Sequence, residues 1–115
     1  MEHALTVEHV LPEAAARLLE EGAVLIDVRE PEEWQVGRAP QAVHIPLGEL
    51  GARLGELPSD RKLIMVCRSG GRSARAAEAL LERGLPAVNL AGGMQAWKSA
   101  TFPVIADGGK PGEVV

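Results

Sequence analysis

A single cysteine, Cys67, stands in 115 residues, so no disulfide can form within the chain. That usage fits a reducing compartment without establishing one. Long apolar runs are missing as well. The longest stretch of Leu, Ile, Met, Val and Cys is Leu63–Cys67, far short of a membrane span. The three histidines, His3, His9 and His44, share no metal-ligand spacing with each other or with Cys67, which argues against a structural zinc site. Neither a metal nor a cofactor is expected. Basic residues are outnumbered, 12 against 16, for a net charge of −4. This argues against general binding of nucleic acid or an anionic membrane, while leaving local basic patches open. The first ten residues, MEHALTVEHV, hold no basic region leading into an apolar one. No secretory leader is expected, and the expected location is cytoplasmic. What is present is ordinary for a soluble globular chain: 46% apolar and 24% charged residues, too apolar for a disordered one. One core closes at this length without disulfides or metals, so a single domain is expected.

Strand and helix signals alternate along the chain. Pro12 opens a helix through Leu18 and Leu19 that Gly22 ends. Ala23–Asp27 reads as a buried strand, Glu30–Gln35 as a turn or two of helix, and Ala42–Ile45 as a short strand closed by Pro46. Leu47, Leu50, Leu54 and Leu57 make a helical stripe interrupted by two glycines. Lys62–Val66 is the clearest strand, followed by a helix over about Ser73 to Arg83. Ala87–Leu90 is a last short strand before a glycine pair and a helix through Trp97. This alternation predicts a parallel α/β sheet with helices on both faces. Residues 1–105 are expected to form the domain and residues 106–115 a loose tail.

The chemistry concentrates in VCRSGGRSAR, Val66–Arg75. Open parallel sheets place reactive groups at the carboxyl ends of strands, and Cys67 occupies such an end. Ser69, Gly70 and Gly71 let the backbone curl so that successive N–H groups face one concavity. The following helix adds free N–H groups and its positive end. Arg68, Arg72 and Arg75 add three positive charges to an otherwise acidic chain. An ordinary cysteine, with a pKa of about 8.5, is only about 3% thiolate at pH 7. Bringing that pKa to about 7 takes roughly 2 kcal/mol, more than the ~0.3–1 kcal/mol of a helix terminus. Converging loop N–H groups and Arg72 are the expected remainder. A cysteine acting only as a small hydrophobe would need none of these features.

These motifs resemble the single-domain rhodanese family, and the likeness runs over nearly the whole chain. Four pieces carry it: Asp27-Val28-Arg29-Glu30 with Glu33-Trp34 and Gly37; Ala42-Val43-His44-Ile45-Pro46; the loop Cys67–Ser73; and Gly92-Gly93-Met94-Gln95-Ala96-Trp97 trailed by Phe102-Pro103-Val104. The resemblance implies a three-layer α/β fold with a small, mostly parallel five-stranded sheet. It implies that Cys67 accepts a sulfane sulfur as a persulfide, with Arg68, Ser69, Gly70, Gly71, Arg72 and Ser73 binding the substrate and Arg72 meeting the donor's anionic part. Implied partners are a small anionic donor such as thiosulfate and an acceptor that is cyanide, a thiol or a protein thiol. Phosphatases and arsenate reductases of this fold carry a loop one residue longer, and the Cys-x4-Arg spacing here favours sulfur over phosphate or arsenate. Where the family reads Gly-His-Ile-Pro-Gly-Ala, this chain has Gly37-Arg38-Ala39-Pro40-Gln41-Ala42.

Around that centre, Asp27 and Arg29 are expected to form a structural ion pair or loop anchor. Trp34 and Trp97 are expected to pack rather than to stack on substrate. Arg75 either widens the positive field or is simply solvated, and His44 is expected to be satisfied locally. Two functions compete: an enzyme turning over small donors and acceptors, or a persulfide carrier in a protein relay. Both need Cys67, and the identity of the acceptor separates them.

Overall fold

Leu63–Val66 (β4) is buried at every position and Val24–Asp27 (β2) at all but its first. Strands with no polar side can lie only in the middle of a sheet covered on both faces. The computed structural model describes residues 6–115; Met1–Leu5, His3 among them, lie outside the described residues. Three further strands complete the sheet: His9–Val10 (β1), Val43–His44 (β3) and Ala87–Leu90 (β5). The order is β1-β5-β4-β2-β3, and every pairing is parallel.

Side-chain alternation splits the core into two layers. Leu25, Ile64, Val66, Val88 and Leu90 pack with Ala15 of Pro12–Glu20 (α1) and with Met94 and Trp97 of Gly93–Ser99 (α5). Ile26, Leu63, Met65 and Ala87 face the other way, onto Ala76, Ala77 and Leu80 of Gly71–Glu82 (α4) and onto Leu50 of Leu47–Leu50 (α3). Crossover handedness accounts for this division. The chain steps one way across the sheet from β1 to β2 and the opposite way from β4 to β5, so right-handed connections put α1 and α4 on opposite faces. The step from β2 through Pro31–Val36 (α2) to β3 runs away from β5, whereas β4 leads towards it. The carboxyl ends of β2 and β4 therefore flank the point where the strand order reverses, the usual position of a ligand crevice in such a sheet.

The structure departs from the sequence reading in four places. The Leu47–Leu57 stripe is not one helix. α3 passes into a 3-10 segment, Gly51–Glu56, in which Arg53 leaves helical geometry. The helix after the cysteine loop starts at Gly71, not Ser73, because Gly70 takes a left-handed conformation and turns the chain directly into it. β1 had no expectation attached to it, since two residues leave no period to read. The expected loose tail is instead pinned. Ile105 bridges both Arg38 and Pro111, the Glu113 N–H donates to the Val36 carbonyl at 3.0 Å, and Val114 packs on the core. Any side chain at Gly37 would collide with the backbone carbonyl of Glu113, so the tail fixes the atypical turn from outside. Within that turn Arg38 lies over the Trp34 ring, 4.8 Å from its centroid, and pairs with Asp107 at 2.6 Å.

Candidate active site

Cys67 follows the last residue of β4, and its residue is 1% exposed. Three donors converge on its Sγ: the Gly70 N–H at 3.1 Å, the Ser73 N–H at 3.4 Å and the Ser73 hydroxyl at 3.3 Å. The left-handed Gly70 tilts its own N–H toward the sulfur, and Gly71 opens α4 so that Ser73 lies in the first turn. The loop is braced from behind by α5. Met94 and Gln95 donate their N–H groups to the carbonyls of Cys67 and Arg68 at 2.8 and 3.0 Å. A Cβ at Gly93 would strike those same two carbonyls, which explains one member of the Gly92-Gly93 pair.

Burial by itself pushes the Cys67 thiol up. Hydrogen bonds from the Ser73 hydroxyl and from the N–H groups of Ser73, Gly70 and Ser69 outweigh it, so the thiol ionises below its ordinary value. The Ser73 hydroxyl has one proton and two acceptors, Sγ at 3.3 Å and Asn89 Oδ1 at 2.6 Å. It turns to the sulfur once the sulfur is charged, since a hydrogen bond to an anion is the stronger. Asn89 is held in turn by the Gly70 carbonyl at 3.2 Å and lies 3.1 Å from His9 Nδ1.

Ser73→Ala is therefore expected to raise the pH midpoint of Cys67 alkylation by about one unit, since a hydrogen bond to a charged group is worth about 1.5 kcal/mol. The sign follows from the lost donor: the thiolate loses support and the neutral thiol does not. Alkylation rates should converge at high pH and diverge below the midpoint. An unmoved midpoint would assign the hydroxyl to Asn89 alone.

The remaining residues expected at the site fall into distinct places. Arg68 and Ser69 are exposed on the loop. Arg75 is exposed and lines a cleft with Leu47, Gly71 and Arg72 beside the loop. Asp27 and Arg29 form a fully buried pair at the end of β2. The guanidinium reaches Asp27 at 2.8 Å and donates to the Gly37 carbonyl at 2.6 Å. His44 donates from Nε2 to the Arg29 carbonyl at 2.7 Å and stacks on Trp34 at 4.6 Å. Trp97 is fully buried.

The Arg72 guanidinium forks onto the Glu33 carboxylate, with contacts of 2.8 and 2.9 Å. Glu33 was part of a motif in the sequence but carried no role of its own. Its local signal was the capping box at the start of α2, where Glu33 also accepts the Glu30 N–H at 3.0 Å. Asn89 and His9 had no signal at all. Among the described residues, no group of three His, Cys, Asp or Glu side chains could hold a metal ion. No helix there is long and apolar enough to cross a membrane.

A parallel α/β sheet with a cysteine cradled by N–H groups at its reversal point defines a class of domain, and sequence comparison gives that class its family. Residues 11–100 match the rhodanese-like domain, and the chain belongs to that family. It is 44% identical over 84 residues to YtwF of Bacillus subtilis, covering 73% of this chain and 82% of that one. It is 38% identical over 90 residues to a sulfurtransferase of Allochromatium vinosum, covering 77% and 84%. Among solved structures, a rhodanese-related protein from Thermoplasma volcanium superimposes with a TM-score of 0.81 at 31% identity, over 87% of this chain and 99% of that one.

Proposed function

We propose that the chain is a sulfurtransferase that carries sulfur as a persulfide on Cys67. The observation behind this is the sulfur itself, just after β4 under three converging donors with its ionisation favoured. In the first step the Cys67 thiolate attacks the outer sulfur of a small anionic donor such as thiosulfate. The new bond joins Sγ to that sulfur, the donor's own S–S bond breaks, and sulfite leaves with the electron pair. No proton moves, so no general base is required. The terminal sulfur then carries the negative charge, and the N–H groups that held the thiolate can hold it. In the second step a thiolate or cyanide attacks that terminal sulfur and releases Cys67 as the thiolate. Relatives named sulfurtransferases support the reaction class.

Initial rates measured over a grid of thiosulfate and cyanide concentrations test the two-step order. Parallel double-reciprocal lines are expected, since donor and acceptor never occupy the site together. Intersecting lines would contradict the proposal. Transfer from a protein persulfide, measured beside thiosulfate, separates small-molecule turnover from a relay.

A further inference from the structure

The cradle is short of one positive charge. Arg72 is the residue whose position in the loop suits it to a donor's anionic end, yet its charge is already matched by Glu33. This is not a loose surface contact. The Glu33 side chain is 18% exposed against 37% for Arg72, and both carboxylate oxygens are used. A third hydrogen bond, from the Glu30 N–H, fixes the carboxylate to the start of α2. The hydrogen bonds from Arg72 hold the Glu33 carboxyl below its ordinary value despite its partial burial, with the field of Arg29 adding to the effect. Arg72 in turn feels the charges of Glu33, Cys67 and Glu30, so all four groups share one electrostatic neighbourhood. Arg68 and Arg75 are exposed and screened by water.

The consequence lies in the charge of the incoming donor. Thiosulfate brings two negative charges to a thiolate that already has one, and the Glu33 carboxylate beside Arg72 adds a further negative charge nearby. A donor with a single charge meets half of that repulsion. We infer that Glu33, by closing on Arg72, is a specificity-determining residue that favours monoanionic sulfur donors, persulfides and thiosulfonates, over dianions such as thiosulfate. The inference rests on the sulfur-transfer reading and narrows its donor class.

Thiosulfate and methanethiosulfonate make a matched pair of probes. Both offer an outer sulfur on a tetrahedral sulfur centre, and they differ by one charge. Attack on the second forms the same Cys67 persulfide and releases methanesulfinate with the electron pair, so the charges balance in both cases. Steady-state kinetics with each donor, at saturating acceptor and fixed salt, would be compared between wild type and Glu33→Gln. Glutamine keeps an oxygen for the Glu30 N–H, so the start of α2 survives. Removing one charge beside a partly exposed site is worth about a factor of ten for each charge it opposes. The expected result is a rise of about tenfold in the thiosulfate to methanethiosulfonate ratio of kcat/KM, carried mainly by KM. Intrinsic differences between the donors cancel in that comparison, and a merely structural role for Glu33 would lower both values together. An unchanged ratio, or one moved toward the monoanion, overturns the inference and leaves the sulfur-transfer reading standing. If neither donor supports Cys67-dependent transfer in the wild type, both fall together.

Discussion

Cys67→Ser will abolish sulfur transfer and leave the fold standing. Serine fits the space, and its hydroxyl oxygen can accept the Gly70 and Ser73 N–H groups that now reach Sγ at 3.1 and 3.4 Å. No buried donor is orphaned, so the melting temperature should move by less than roughly 5 °C, about 1 kcal/mol for a domain of this size. Serine has no accessible anion and cannot form a persulfide, so the loss of transfer should be complete within detection. Assay and thermal melt are read on the same preparation. Transfer retained by the variant would remove Cys67 from the reaction. Transfer lost together with the fold would show that the thiol is a packing residue whose replacement is too costly.

The largest effect on stability is expected from Arg29→Ala. Both side chains of the Asp27–Arg29 pair are inaccessible to solvent. Asp27 accepts from the Arg29 backbone N–H at 3.0 Å as well as from the guanidinium. The guanidinium also donates to the carbonyls of Gly37 and Glu33, which ties the end of β2 to the far end of α2. Truncation leaves a buried carboxylate facing an empty space, a change that costs about 3–5 kcal/mol. That is a large share of the ~5–15 kcal/mol that holds a domain of this kind folded. Denaturant unfolding should show the loss directly. Arg53→Ala is the contrast, because Arg53 bridges Glu49 and Glu56 on the surface, where water already screens the charges. Its unfolding midpoint should be unchanged. Equal effects for the two variants would mean that the buried pair contributes no more than the exposed one.

What could be read from the sequence follows from the range of the interactions. β4 and its loop were legible because an apolar run, a glycine pair and a helix start lie within a few residues of Cys67. The buried strands of the centre were legible for the same reason, since burial on both faces leaves continuous apolar runs. Contacts across long separations left no such mark. Arg72 and Glu33 are 39 positions apart and Asn89 and His9 80, distances at which neither periodicity nor spacing carries a signal. The tail misled because ADGGKPGEVV has the composition of a free end, whereas its order comes from backbone bonds to Val36 and Val104 and from the bridge of Pro111 to Ile105, none of which composition encodes. The glycines at positions 93 and 37 show the limit most plainly. Each is required by a carbonyl of another segment, Cys67 for the first and Glu113 for the second, and nothing local distinguishes them from turn glycines.

The central claim, sulfur held covalently on Cys67, is tested most directly by intact mass. The chain has no second cysteine that could attack a persulfide and expel its sulfur as an intramolecular disulfide. Protein treated with thiosulfate or methanethiosulfonate, then freed of excess donor, should be heavier by one sulfur atom. Addition of cyanide should return it to the starting mass, and the Cys67→Ser variant should never gain the increment. Turnover without any such adduct before acceptor is added would contradict the account, and a single-step transfer with donor and acceptor bound together would have to replace it.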